Sequence, residues 1–358
     1  MSDDVTGTAT AEQGLAGAHH GVASFEDEAP SPLRRVQHFF HQNPTAIPAI
    51  ILLIAVVVFA FVTGGKFFGT LNLSLILAQV TLIALLGTAQ TLVIITAGID
   101  LSVGAIMVLS SIIMGKLAVD YQVPVAIAFP LGLLTGLVCG LFNGVLVTLL
   151  KLPPFIVTLG TWSIYGALIT LVSNAATIRS QALDQFAPFL KSMGARIPVG
   201  GGAFLMYGSI LMILVAALVW YMLSRTAFGR HVYAIGDDPN AARLSGIQVN
   251  KTLIGVYALA GLICGVAGWV LIGRVGAVSP LGNQTANLDA ITAVVIGGTS
   301  LFGGRGSILG TLFGALIVGV FDSGLSLTGV DPLWRQLTVG ALIIVAVSID
   351  QWIRRISS

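Results

Sequence analysis

Apolar runs of about 20 residues recur along most of this chain, and as a helix each is long enough to cross a hydrocarbon core about 30 Å thick. Ten such runs are predicted, at 46–64, 72–96, 101–118, 123–150, 155–173, 203–224, 252–273, 287–301, 307–328 and 334–352. Backbone polar groups in lipid must be satisfied within the segment itself, so runs of this kind fold as helices. The fold class expected is an all-α membrane protein of about ten transmembrane helices. The second and third runs are nearly fused, and the eighth is short and ends in Gly297-Gly298, so counts from eight to eleven stay open. Only 9% of residues are charged, against about 25% in a soluble domain.

Those charges divide the chain. Six of the fifteen acids (Asp3, Asp4, Glu12, Glu26, Asp27, Glu28) lie in the first 28 residues, which leaves nine acids against all seventeen Lys and Arg, a body of +8. Residues 1–44 are read as a disordered acidic tail, residues 45–352 as the transmembrane domain and 353–358 as a short basic C-terminus. An even number of spans puts both termini on one side. If that side is the cytoplasm, it holds Arg34, Arg35, Lys151, Arg225, Arg230, Arg243, Lys251, Arg305, Arg354 and Arg355, in line with the rule that basic residues stay inside. The opposite side holds seven cations, three of them in the longer extracytoplasmic loop 174–202. The basic excess therefore reads as membrane orientation, and no nucleic-acid partner is implied.

Several chemistries are missing. No G-x-x-x-x-G-K-[ST] phosphate loop occurs, since Gly303-Gly304-Arg305-Gly306-Ser307 lacks the lysine followed by Ser or Thr. The chain should bind no cofactor and hydrolyse no ATP by itself. Cys139 and Cys264 sit in apolar runs as small hydrophobes. His19, His20, His38 and His41 fall in or near the tail and read as solvated side chains, with no metal site. Glycines at 132, 136, 140 and 144, at 306, 310 and 314, and at 261 and 265 lie on single helix faces, a pattern that lets helices approach closely in lipid.

The segment 225–251 is the one long polar interruption between strongly apolar runs. Within it Asp238 suits an N-cap, Pro239 the first helical position and Gly246 the left-handed residue after a helix end. Together they frame a helix from Pro239 to Ser245, about 10 Å long. A helix that short is marginal alone in water and must rest on a partner or on the membrane face.

The run Arg225-Thr226-Ala227-Phe228-Gly229-Arg230-His231-Val232-Tyr233-Ala234-Ile235-Gly236, continuing through Ala241-Ala242-Arg243-Leu244-Ser245-Gly246-Ile247, resembles the cytoplasmic coupling loop of ribose-type ABC importer permeases. So do Gly98-Ile99-Asp100-Leu101-Ser102-Val103-Gly104 and the stretch from Leu288-Asp289-Ala290 to Gly303-Gly304. Asp237-Asp238 departs from the Gly or Asn common before the proline, yet keeps a competent cap. The resemblance implies a type II-like permease bundle in the bacterial inner membrane that passes a monosaccharide of the ribose, fructose or xylose class inward. It implies as partners a second permease copy, two ATP-binding subunits or one tandem ATPase that consume ATP, and a periplasmic sugar-binding protein, all around a chain embedded in membrane lipid. It makes Arg230, Gly236, Asp238, Pro239, Asn240, Ala241, Ala242, Arg243, Ser245 and Gly246 the ATPase-coupling residues.

Candidate pathway residues are polar groups inside apolar runs, which are costly in lipid and face cavities or other helices. They are Gln79, Gln90, Asp100, Ser102, Asn143, Asn174 and Asp289. Asp100 also suits an N-cap of the third helix, and Asp289 one of the eighth. Two other transporters stay open: a secondary transporter driven by an ion gradient, and a permease for branched-chain amino acids. A membrane enzyme finds no Ser/His/Asp, Cys/His or metal-ligand cluster in support.

Overall fold

The computed structural model describes residues 45–282 and 285–331, then 333–334, 337–338, 340–341, 344 and 348. The N-terminal tail 1–44, the C-terminus 353–358 and most of the expected tenth span 334–352 lie outside the described residues. Among the described residues up to 331, twelve α-helices and one hairpin follow: α1 (Ala46–Val62), α2 (Thr70–Ile95), α3 (Val103–Gly115), α4 (Val125–Leu149), α5 (Pro154–Ser173), α6 (Ser180–Phe186), β1 (Arg196–Gly200), β2 (Ala203–Met206), α7 (Tyr207–Arg225), α8 (Ala227–Asp237), α9 (Pro239–Leu244), α10 (Val249–Val275), α11 (Ala286–Ile296) and α12 (Ile308–Leu327). Seven are long and apolar enough to cross a membrane: α2, α3 with its π-helical extension to Asp120, α4, α5, α7, α10 and α12. α1 and α11 are apolar but shorter.

α2 is the axis of the bundle. From Val80 to Ile95 every residue is buried, because α10, α11, α12 and α7 pack around it. The stacked hydroxyl pairs Thr91–Thr311 (2.6 Å) and Thr81–Ser209 (2.7 Å) tie α2 to α12 and α7. α4 meets α10 through small residues. A Cβ added at Gly140 would lie 2.2 Å from the Tyr257 carbonyl, and one at Gly136 2.4 Å from that of Gly261, so the backbones touch there and only glycine fits. Large side chains on the outer surfaces, such as Phe61, Leu171 and Leu218, stay exposed, as suits surfaces that meet lipid tails.

Two expectations are corrected, for the runs 203–224 and 287–301. The run 203–224 opens as strand β2, not as helix, and pairs antiparallel with β1. The preceding loop 174–202 is structured, with α6 and a 3-10 turn at Pro188–Gly194. Two short runs, Arg196-Ile197-Pro198-Val199 and Ala203-Phe204-Leu205-Met206, flank three glycines, a hairpin signal hidden beside a longer apolar one. The run 287–301 yields a helix of 11 residues, about 16 Å, half of what a span needs. Gly297 ends it, and Gly298, Gly303 and Gly304, all at positive φ, turn the chain into α12. Its far end packs on Gly310, while Gly304 N–H bonds the Ile95 carbonyl at 2.9 Å. The end of α11 thus shares one face of the bundle with the end of α2, and its start lies near the middle.

The second and third runs form two separate helices, as the sequence divides them. Residues 96–102 leave helical geometry, with Ala97 at φ +60°, and lead into α3. The starts of α3 and α11 meet: Asn287 Nδ2 donates to the Leu101 carbonyl at 3.2 Å, and Gly104 lies against the Asn287 backbone. Two interrupted helices therefore converge inside the bundle, where non-helical backbone is tolerated because protein covers it.

Candidate functional site

Three separate polar groups emerge. The first is the loop 225–251. Thr226 caps α8, its hydroxyl accepting from Gly229 N–H at 3.3 Å and donating to the Met222 carbonyl at 2.6 Å. α8 is amphipathic and buries Gly229, Val232, Ile235 and Gly236. Gly236 is seated so closely that a Cβ there would lie 1.8 Å from the Ile95 carbonyl. Tyr233 Oη donates to the Gly306 carbonyl at 2.8 Å, and burial pushes the Tyr233 phenol up from its ordinary value. α8 thereby rests on the end of α2 and on the glycine turn between α11 and α12.

α9 follows at once. Asp238 Oδ1 accepts from Asn240 N–H (2.7 Å) and Ala241 N–H (3.1 Å), Pro239 takes the first turn, and Gly246 sits at φ +85°. The helix runs from Pro239 to Leu244, one residue shorter than the frame read from the sequence. Asp238, Pro239, Asn240, Ala241, Arg243, Ser245 and Gly246 are exposed, as is Arg230 on α8. Ala242 is not: it is buried with Ile235 and Val249, so it glues α9 to α8 and α10 instead of facing outward. Leu244 takes the outward position at 91% exposure. Sequence reasoning passed over Leu244 as an ordinary apolar residue; its place next to the Ser245-Gly246 helix stop was the available signal. Beside α9 a groove of about 1120 Å³ is lined by Lys151, Pro153, Pro239, Arg243 and Lys251 among others.

The second group is sealed. Asp100 Oδ1 accepts from Ser102 N–H (2.7 Å) and Ser102 Oγ (2.6 Å). Asn143 Nδ2 donates to Ser102 Oγ (2.8 Å) and lies 3.4 Å from Asp100 Oδ2, and Tyr165 Oη donates to Asn143 Oδ1 at 3.3 Å. With its amide turned to satisfy both groups, Gln90 donates to the Asp100 carbonyl (3.0 Å) and accepts from its N–H (3.1 Å). Gln90, Asp100, Ser102 and Asn143 are at most 1% exposed. Asp100 does not cap α3 as expected. Ser102 holds the N-cap position, and Asp100, two residues earlier, shapes the turn that enters it.

The third group lies toward the opposite face. Gln79 Nε2 donates to Asp322 Oδ2, joining α2 to α12. Asp289 is the fourth residue of α11, not its cap; Thr285 holds that position and its hydroxyl donates to Asp289 Oδ2 at 3.3 Å. Gln79, Asp289 and Asp322 are half-buried. Asn174 belongs to none of the three groups. It is exposed and ends α5 in the left-handed region at φ +51°. Among the described residues, no three His, Cys, Asp or Glu side chains gather as a metal site.

Residues 72–347 match the family described as branched-chain amino acid transport system / permease component. The chain is 53% identical over 347 residues to the fructose import permease protein of Rhizobium meliloti, covering 97% of this chain and 96% of that one. It is 38% identical over 300 residues to the ribose import permease protein of Bacillus subtilis (strain 168), at 84% and 90% coverage. Against the D-allose transport system permease protein of Escherichia coli (strain K12) it is 35% identical over 306 residues, at 85% and 91%. No solved structure matches.

Proposed function

Because the chain belongs to the family of branched-chain amino acid transport system permease components, we propose that it is the membrane subunit of an ATP-driven importer that carries a monosaccharide across the bacterial inner membrane. The observation that carries this reading is near-full-length similarity to sugar import permeases, highest in identity toward the fructose permease among the three relatives above. Fructose is therefore the first cargo to try.

Energy reaches the chain from outside it. Two ATP-binding subunits, or one tandem ATPase, dock on the cytoplasmic face, where α9 presents Asn240, Arg243 and Leu244 beside the cation-lined groove. A push on α9 passes through buried Ala242 to α8, and from Gly236 and Tyr233 to the end of α2 and the turn before α12. Both termini face the cytoplasm, a periplasmic binding protein delivers sugar at the 174–206 side, and a second copy of the chain completes the pathway. In this account Gln90, Asp100, Ser102 and Asn143 hold the broken entry to α3 in place.

Reconstitution tests the reading. The purified chain alone should hydrolyse no ATP; adding the ATP-binding subunits and sugar-loaded binding protein should give ATP-dependent uptake of fructose into vesicles. Uptake that persists without ATP-binding subunits and collapses with a proton gradient would replace this reading with a secondary transporter.

A further inference from the structure

We propose that the groove beside α9 binds the headgroup of an anionic phospholipid, held by Lys151, Arg243 and Lys251. The groove encloses about 1120 Å³ and is walled by the turn between α4 and α5, by α9 and by the start of α10. That is slightly more than the roughly 300–1,000 Å³ usual for small-molecule sites, so there is room for a whole headgroup and not only for one phosphate. The site is independent of the cargo, since it needs only a chain that sits in a membrane.

The charge in the groove is unanswered. Among the described residues no acid lines it, and none of the three cations is held in an ion pair. Asp238, next to Pro239 in the wall, spends its carboxylate on the N–H groups of Asn240 and Ala241. Gln248 and Asn250 add exposed amide side chains to the same lining, and the start of α10 adds the positive end of a helix dipole. Three cations without a counter-ion suit a phosphodiester that carries net negative charge, and the amides suit its ester and glycerol oxygens.

The surroundings select a lipid over a soluble anion. α4 and α5 are both long enough to span, and only residues 150–153 separate them, so Lys151 sits where two spans leave the hydrocarbon. α10 has 27 residues, about 40 Å of helix against a core of about 30 Å, so its first turn with Lys251 reaches the same headgroup level. On either side of the turn Leu149, Leu150, Phe155 and Ile156 are exposed, a surface for acyl tails that continues the outer faces of α4 and α5. A lipid lying against them brings its phosphate to Lys151. Basic pockets between spans at this level recognise anionic headgroups. In the orientation proposed above this is the cytoplasmic leaflet, the one with negative surface potential.

The test uses the whole chain in detergent micelles, with bound lipid counted by native mass spectrometry. Dioleoylphosphatidylglycerol should bind at least about tenfold more tightly than dioleoylphosphatidylcholine, which has the same tails but no net charge. Lys151→Gln combined with Lys251→Gln should weaken the phosphatidylglycerol about tenfold and leave the phosphatidylcholine unchanged. Excess inorganic phosphate should not displace the lipid. A second measurement does not depend on those variants: maleimide labelling of Gln248→Cys should slow with phosphatidylglycerol and not with phosphatidylcholine, and Cys139 and Cys264 are buried and contribute little background. Equal affinity for the two lipids, an unchanged preference in the double variant, displacement by inorganic phosphate, or labelling indifferent to lipid overturns the proposal. So does a double variant that keeps its lipid preference but no longer co-purifies with the ATPase, which assigns the groove to that subunit instead. No readout here involves sugar, so failure leaves the monosaccharide reading standing, and an importer that moves no sugar leaves the lipid site standing.

Discussion

The sealed group around Asp100 and the exposed helix α9 are both interruptions of an apolar sequence, and they are built in opposite ways. Around Asp100 the Gln90 amide pairs with the Asp100 backbone, and Ser102 and Asn143 bond its carboxylate and each other, with no more than 1% of any of these residues exposed. On α9 the small residue Ala242 is buried while the large apolar Leu244 projects at 91% exposure. A buried polar network of this kind fixes backbone position, because each group left unpaired would cost the full desolvation penalty. An exposed apolar side chain on a short, marginal helix does the reverse and leaves surface for a partner to cover.

The largest effect expected on that contrast comes from Asp100→Ala. It strands the Ser102 N–H and hydroxyl and an Asn143 amide hydrogen at once, at about 1–3 kcal/mol for each unsatisfied group. Thermal melting of the purified protein in detergent should fall markedly; a variant that melts like wild type would show that the network does not hold the entry to α3.

Gly236→Val comes next. Its Cβ would collide with the Ile95 carbonyl, a backbone atom, so α8 must lift from its seat at a cost of about 1–3 kcal/mol. Melting should drop by less than for Asp100→Ala, and ATP-dependent uptake should drop with it. Normal uptake in this variant would separate the seat of α8 from coupling.

How much of this was legible beforehand follows the range of each interaction. The helix 239–244 was readable because its cap, its proline and its terminal glycine act within a few residues. Gln79 and Asp322, 243 positions apart, carry no local mark of their pairing. Ala242 and Leu244 differ in burial only because α8 and α10 pack on one side of α9, which no short window reveals. The half-length of α11 was partly legible, in the shortness of the run and in Gly297-Gly298, but hydropathy carries the apolar run on to residue 301, past the point where backbone geometry ends the helix.

A smaller effect is expected at the cap itself. Asp238→Ala removes the acceptor for Asn240 and Ala241 N–H, about 1 kcal/mol of local helix stability. Hydrogen exchange at residues 240–244 should quicken while the melting of the whole protein hardly moves. Exchange that stays slow would mean that packing through Ala242 alone keeps α9 formed.

Leu244→Asp should change stability least of all, within about 0.5 kcal/mol for a surface substitution, and it tests the central claim most directly. The measurement is ATP-dependent fructose uptake by the reconstituted importer, made beside the melting curve of the variant chain alone. The account predicts a wild-type melting curve together with loss of ATPase co-purification and at least a tenfold fall in uptake. Full uptake by Leu244→Asp with its ATPase still bound would contradict it.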